Sequence, residues 1–405
     1  MTDTRLPVVA GVDTHADTHW AAIITTTGQP VADRQFPATP DGYSQLVGFI
    51  TGHGRLVRVG VEGTSSYGAG LTRVLLAAGI DTAEVIRPAR TQRRRGKSDP
   101  IDAHAAATAA LTGHRLPVPK TPDGDIDAIR VLLIARRSAV KARSDAIRQI
   151  KSILVTAPNH IRERFRHLAP TALIATLAKL RPGPATDDTA QATLTALRNL
   201  ARRHAHLTEE LSQSDADLDT LTRRANPALR AAFGVGPVTA AQLLVTAGQN
   251  PHRITDEAAF AALTGTAPIP ASSGKTTRHR LNRGGDRDAN CAIHQIVLVR
   301  MSKDPATRAY LTKRKTDGKT VRETMRCLKR AVARETHGHL TNPQPIPDTC
   351  DLRPLRQTKH ATLEQAARHL DHWPTQLSRL ERGLKRDDHL AKRYRDWLTN
   401  LPDPT

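Results

Sequence analysis

Four carboxylates in the first quarter of the chain constrain its fold more than any other feature. Asp13 closes the run Val8-Val9-Ala10-Gly11-Val12, and Glu62 closes Val57-Arg58-Val59-Gly60-Val61. Asp99 and Asp102 stand three apart in Lys97-Ser98-Asp99-Pro100-Ile101-Asp102-Ala103, which reads as a helix start. Short runs rich in valine form strands, so two acids sit at strand ends and two within one helical turn. Asp99 is expected as an N-cap with Pro100 at the first helical position, where a missing N–H costs nothing. Asp102 then follows one turn along on the same face. Two strand ends in one sheet and a helix laid over them bring such side chains to one point. Like charges gathered there repel one another. Two divalent cations, Mg2+ or Mn2+, remove that cost and suit an in-line displacement at a phosphodiester, with the ions about 3.5–4 Å apart.

The charge of the whole chain points to the same kind of partner. Sixty Lys and Arg stand against 39 Asp and Glu, a formal net charge of +21 over 405 residues. Such an excess attracts a polyanion. No apolar run is long enough to span a bilayer and no signal peptide is evident, so nucleic acid is the expected partner and a membrane is not. The Ala-, Arg-, Thr- and Pro-rich, aromatic-poor composition fits a bacterial genome of high GC content. The three cysteines, Cys291, Cys327 and Cys350, are not at metal-ligand spacing and cannot make a closed disulfide set. A reducing bacterial cytoplasm, close to the nucleoid, is the expected setting. His15, His19 and His104 lie near the acids in sequence, which leaves a zinc site open beside the reading of ordinary surface histidines.

Residues 7–115 read as α/β. Strands are expected over 8–13, 20–27, 31–37, 56–61 and 82–86, with helices over 41–50 and 71–78. Three strands, then helix, strand, helix, strand is the order of the ribonuclease H fold, an antiparallel meander to which later strands add in parallel. Arg87, Arg90, Arg93, Arg94, Arg95 and Lys97 follow with no acid among them, a segment suited to phosphates.

The remainder reads as all-helical. From 123 to 222 the apolar spacing predicts two long helices around a Pro/Gly-rich break at 182–184, either an antiparallel pair or a coiled-coil dimer arm. His204 falls at a core-type position of the second helix. Residues 229–240 resemble a helix-hairpin-helix in which Gly234 and Gly236 turn backbone N–H groups toward a phosphate, the alternative being a plain tight turn. A Gly/Ser/basic loop spans 265–287, before a helix expected over 290–301. Pro-rich 343–359 reads as a linker. In 360–401, two short amphipathic helices around a turn, the second carrying Gln376, Ser378 and Arg379, fit a helix-turn-helix of the phage-repressor type; the alternative is a small helical cap. The expected division is therefore 1–118, 119–225, 226–342, 343–359 and 360–405.

The set Gly-Val-Asp13-Thr-His, Val-Glu62-Gly-Thr and Lys-Ser-Asp99-Pro-Ile-Asp102-Ala resembles the DEDD transposases of bacterial insertion sequences, the one-hundred-and-ten family. So do Gly234-Val235-Gly236, Phe260-Ala261-Ala262-Leu263-Thr264-Gly265-Thr266-Ala267-Pro268, Ser272-Ser273-Gly274-Lys275 and Arg283-Gly284-Gly285-Asp286-Arg287. The resemblance covers roughly residues 8–335. It implies a RuvC-like first domain whose four acids bind divalent metal. It also implies a second domain whose serine, here Ser273 with Ser272 beside it, forms a covalent phosphoserine link to DNA. A structured RNA that chooses donor and target DNA is implied too. Thr266 departs from the leucine usual there, and the helix-turn-helix tail lies outside the family's common core.

Read without the resemblance, the serine still needs activation, and no Ser-His-Asp arrangement supplies it; His279, six residues on, is the nearest base. Lys275, Arg278, Arg280, Arg283 and Arg287 suit a scissile phosphate and its neighbours. Gly274-Lys275-Thr276 is not a Walker A loop, because Ile269 stands where its first glycine belongs. The long arm makes a homo-oligomer, dimer or tetramer, an expectation, with a serine and an acidic cluster from different protomers able to share a site. Competing readings are a RuvC-like nuclease or junction resolvase without a covalent step, a non-catalytic helix-turn-helix regulator, and an actin-like kinase, whose glycine loops are missing here.

Overall fold

The computed structural model describes residues 5–85, 98–113, 116–119, 124–181, 187–248, 254–272, 279–345, 349–383 and 387–402. The chain divides into two compact units, residues 1–124 with 247–255, and residues 125–246 with 256–405. Among the described residues no helix is long and apolar enough to cross a membrane.

The first unit is a five-stranded sheet with helices. In chain order it contains β1 (Pro7–Thr14), β2 (Thr18–Thr25), β3 (Pro30–Pro37), α1 (Pro40–Gly52), β4 (Arg55–Glu62), α2 (Ala69–Ala77), β5 (Thr82–Val85) and α3 (Asp99–Thr112). The sheet order is β3-β2-β1-β4-β5. β1 pairs antiparallel with β2, and β2 with β3; β4 runs parallel to β1 and to β5. The meander followed by parallel additions agrees with the sequence. β1 is central and buried from Val8 to Thr14, so it is apolar on both faces rather than alternating. β3 lies at the edge and is mostly exposed, which its Asp33, Arg34 and Gln35 reflect.

One face of the sheet packs Val8, Val12, Ile23, Phe36, Val59 and Val61 against Leu46 and Ile50 of α1 and Leu71 and Leu75 of α2. On the other, Val9 and Ile24 meet Ala107 and Ala110 of α3. α3 starts one residue earlier than the sequence suggests. Ser98 is the N-cap and Asp99 is already helical, so the Asp99 carboxylate is not the cap.

The second unit is helical. α4 (Gly124–Thr156) and α7 (Asp188–Ala225) are the long helices of the arm, and they run antiparallel within one chain. Arg224 Nε donates to Asp125 Oδ2 at 2.8 Å, and Arg136 Nε to Asp215 Oδ1 at 2.6 Å. Between them lie α5 (Asn159–Phe165) and α6 (Pro170–Ala178), two short helices beyond the long pair that the apolar spacing predicts. At 7 and 9 residues each spans only about two turns, less than the window of about 11–18 residues over which helical periodicity is read. They bury Ile161, Phe165, Leu173, Ile174 and Leu177 with Ile150 of α4 and Leu197 of α7. His204 is half-buried on α7, and burial pushes its imidazole below the ordinary value.

Then follow α8 (Pro227–Ala231), α9 (Pro237–Ala247), α10 (Glu257–Leu263), the short ladder β6 (Ile269–Pro270) with β7 (His279–Arg280), α11 (Arg287–Lys303), α12 (Pro305–Thr316) and α13 (Val321–Thr341). The C-terminal stretch holds α14 (Leu352–Thr358), α15 (Leu363–Leu370), α16 (Pro374–Glu381) and α17 (Asp388–Asn400) around Leu352, Leu370, Leu377, Leu380, Tyr394 and Leu398. Part of the expected linker is therefore a packed helix. Pro354 falls in the first turn of α14, where its missing N–H has no intrahelical partner to lose. Arg356 of α14 donates through Nε and Nη2 to the two oxygens of buried Glu381 at 2.7 and 3.1 Å. The Tyr394 hydroxyl donates to Oε1 of the same carboxylate at 2.8 Å.

Candidate active site

The four acids fall at the ends of three adjoining elements of the first unit. Asp13 and Glu62 follow the paired residues Val12 and Val61 in the parallel β1–β4 register, so they leave the same edge of the sheet side by side. Thr14 ties the two strand ends together by donating its hydroxyl to the Glu62 carbonyl at 2.9 Å. α3 is brought down onto these strands by small residues: Ala103, Ala106, Ala107 and Ala110 are buried against a sheet that offers Gly11 and Gly60.

Asp13 is wholly buried, Glu62 and Asp102 are buried to more than nine-tenths, and Asp99 is half-exposed. The Asp102 Oδ2 atom is buried with no hydrogen-bond partner among the described residues. A carboxylate oxygen in that state is costly unless something charged or polar meets it. Asp13 and Asp99 converge on one point through His15, whose Nε2 lies 3.1 Å from Asp13 Oδ2 and 3.5 Å from Asp99 Oδ1. One ligand atom from each of the three lies within 4.8 Å of the others, the single such group among the described residues. This donor set, with a buried carboxylate one turn along α3, fits a divalent cation. The residues whose ligand atoms converge are Asp13, His15 and Asp99; Glu62, at the neighbouring strand end, and Asp102 are not in that group.

The three histidines near the acids in sequence separate in space. His15 follows β1 directly, and its N–H donates to the Thr18 carbonyl at 3.0 Å in the turn to β2. His19 is buried, stacked on Tyr43 with ring centroids 5.5 Å apart, and burial lowers its pKa from 6.5. His104 sits on α3 with Nε2 3.2 Å from Asp33 Oδ2. Only His15 joins the acids, so a three-histidine zinc site is not formed. Adjacency to Asp13 in sequence was the available signal, but it did not separate His15 from His19.

Arg87, Arg90, Arg93, Arg94, Arg95 and Lys97 lie outside the described residues, as do Ser273, Lys275 and Arg278. Ser272, Arg280, Arg283 and Arg287 are exposed. Arg280 belongs to β7, where Arg326 Nη1 of α13 donates to the His279 carbonyl at 3.3 Å. The Leu263-Thr264-Gly265 and Gly284-Gly285-Asp286 motifs meet each other. The Asp286 N–H donates to the Leu263 carbonyl at 2.6 Å, and a Cβ on Gly285, which has φ +79°, would stand 2.6 Å from Gly265 N. Asp286 also caps α11 through Asp288 N and Ala289 N at 2.8 and 3.1 Å. Gly234 has φ +82° in the α8–α9 turn, while the Gly236 N–H donates to Thr239 Oγ1 at 3.0 Å, within the turn itself. On α16 Arg379 is exposed, and Gln376 and Ser378 are half-buried, Gln376 being hydrogen-bonded to His372 at 3.0 Å.

A family model described as a transposase matches residues 10–157, and one for the transposase IS116/IS110/IS902 family matches residues 226–312. The first stretch contains all four acids and the second contains Ser273. An uncharacterized 42 kDa protein of insertion element IS900 from Mycobacterium paratuberculosis is 24% identical over 360 residues, covering 77% of this chain and 90% of the relative. A mini-circle protein of IS117 from Streptomyces coelicolor is 27% identical over 331 residues, covering 68% and 80%. An uncharacterized 43.6 kDa protein of insertion element IS110 from the same organism is 38% identical over 96 residues, 24% of each chain. Fold, acids and likeness together define a transposase, an enzyme that processes DNA. The chain belongs to the IS110/IS116/IS902 family.

Proposed function

We propose that this transposase cuts and rejoins DNA through a phosphoserine intermediate, with two divalent cations held by Asp13, Glu62, Asp99 and Asp102 in a ribonuclease-H-like, RuvC-type domain. The observation that carries the reading is the arrival of Asp13 and Asp99 at one point beside buried Glu62 and Asp102. Mg2+ or Mn2+ bound there supplies Lewis-acid stabilisation of charge on phosphate oxygens. The residues themselves orient that charge: β1 and β4 fix two carboxylates, and the first turn of α3 fixes two more.

Ser273 is the proposed nucleophile. Its Oγ forms a bond to phosphorus as the bond from phosphorus to the leaving sugar oxygen breaks. The proton lost by the serine balances the one gained by that oxygen. Lys275, Arg278, Arg280, Arg283 and Arg287 neutralise the phosphate and its neighbours. Arg87, Arg90, Arg93, Arg94, Arg95 and Lys97 hold nucleic acid through its backbone. Gln376, Ser378 and Arg379 on α16 present the reading face of a C-terminal helix-turn-helix to duplex DNA. A structured RNA selects donor and target, and the active species is a dimer or tetramer in the bacterial cytoplasm.

Exchange of each acid for its amide tests the site. Asp13→Asn, Glu62→Gln, Asp99→Asn and Asp102→Asn should each cut strand cleavage by about a hundredfold or more, while keeping the wild-type circular-dichroism spectrum. Wild-type cleavage by any one of them would remove that residue from the site.

A further inference from the structure

We propose that His15 is a direct nitrogen ligand at the acidic cluster, so that one cation position there is a mixed imidazole–carboxylate site rather than an all-oxygen one. The inference rests on the reading that the acids hold divalent cations, and it adds a donor of different chemistry to them. Ligand atoms sharing one ion at about 2.1–2.4 Å stand about 3.0–3.4 Å apart when adjacent. The His15 Nε2 distances to Asp13 Oδ2 and Asp99 Oδ1 are 3.1 and 3.5 Å, close to that spacing on both sides at once.

The backbone holds the ring there. His15 is pinned by its N–H to the Thr18 carbonyl, one residue beyond the end of β1. Asp13 is fixed in the strand itself, and Asp99 in the first turn of α3. Asp102, one turn along α3, is buried, and its Oδ2 has no hydrogen-bond partner among the described residues, an independent sign that this end of the sheet has a charge to be met. The other two nearby histidines are turned elsewhere, His19 onto Tyr43 and His104 onto Asp33. The His15 side chain is 39% exposed.

Imidazole changes which ion the site takes. Carboxylate oxygens suit Mg2+ and Mn2+, whereas an imidazole nitrogen favours Co2+, Ni2+ and Zn2+. The transposase should therefore discriminate Co2+ from Mg2+ more than four carboxylates would.

The test is equilibrium titration of the full-length protein with Co2+ and, separately, with Mg2+. Wild type is compared with His15→Gln, which keeps a hydrogen-bonding end without the nitrogen donor, with Asp13→Asn, and with His104→Gln as a control. His15→Gln should weaken Co2+ by about tenfold or more and Mg2+ by far less, and His104→Gln should leave both unchanged. The visible absorption of Co2+ in wild type should carry a nitrogen-ligand shift that His15→Gln removes. That spectrum is read on wild type, so the idea is tested even where the variant folds poorly. Equal weakening of both ions by His15→Gln, no weakening at all, or an all-oxygen Co2+ spectrum in wild type would overturn the proposal while the acids still bind metal. Unchanged binding of both ions by Asp13→Asn would overturn the underlying reading of the cluster instead.

Discussion

Gly11 and Gly60 stand opposite each other in the parallel β1–β4 register, and the backbone of α3 lies over both. A Cβ on Gly11 would fall 2.0 Å from Ala107 N and 2.3 Å from the Ala103 carbonyl oxygen. One on Gly60 would fall 2.7 Å from the Ala106 carbonyl oxygen. The absence of these two side chains lets α3 come close enough to place Asp99 beside Asp13. Overpacking costs about 1–3 kcal/mol where side chains can give way, and here the obstacle is a helix backbone. Gly11→Ala should therefore lower stability by about 3 kcal/mol or more and weaken metal binding with it. Gly48→Ala, on an exposed part of α1 with open space around it, should be neutral or stabilising by up to about 1 kcal/mol. Thermal denaturation and metal titration of both variants check this.

Glu335 gives the helical unit an acid-sensitive anchor. Burial pushes its carboxyl up. The two hydrogen bonds from Arg300, at 2.6 and 2.8 Å, together with His339, outweigh burial and hold the pKa down at about 2 against an ordinary 4.5. A depressed carboxyl contributes stability that is fully present above its unfolded value and lost as pH falls through the folded one. The stability difference between wild type and Glu335→Gln should therefore be constant near neutrality and shrink between about pH 4.5 and 2. Chemical denaturation across that range would show it; a difference independent of pH would contradict the assignment.

Much of the first unit was legible in the sequence because β-branched runs and glycine-marked turns set strands locally. That rule places Asp13 and Glu62 at the ends of β1 and β4. The sequence does not state which strands become neighbours, because strand order depends on long-range packing. The start of α3 lies one residue before the expected one, since Ser98, Asp99 and Pro100 all suit a helix start and only packing chooses among them. His15 and His19 look alike in sequence, because proximity along the chain does not say which ring turns toward the acids. Pro354 suggested a linker by composition, while its place in a first helical turn made it harmless. α5 and α6 were missed because helices of 7 and 9 residues show little periodicity.

The basic segment at 87–97 contains cations without acids or aromatics, so its contacts should be to phosphates rather than stacked bases. Replacing Arg93, Arg94 and Arg95 together by glutamine should weaken nucleic-acid binding across all sequences. It should also flatten the logarithmic salt dependence by about 2–3. Titrations at several salt concentrations read both; an unchanged slope would exclude the segment from the interface.

The C-terminal helices pack around their own apolar residues, with Arg356, Glu381 and Tyr394 bound together among them. Truncation after residue 345 should therefore lower affinity for duplex DNA while leaving cleavage of pre-bound substrate intact. Arg379→Ala should reproduce much of the affinity loss, by about 1 kcal/mol or more if the side chain contacts a base. Loss of cleavage in the truncated protein would place these helices in the reaction centre instead.

The most direct test of the account is the fate of a cleaved DNA end, followed on denaturing gels with and without protease digestion. With wild type and Mg2+, cleavage should leave DNA covalently attached to protein, and mass spectrometry should place the phosphate on Ser273. Ser273→Ala, Asp102→Asn and wild type stripped of divalent cations should each give no adduct. Cleavage that needs the acids but continues undiminished in Ser273→Ala, releasing free ends, would contradict the account and describe a water-using nuclease instead.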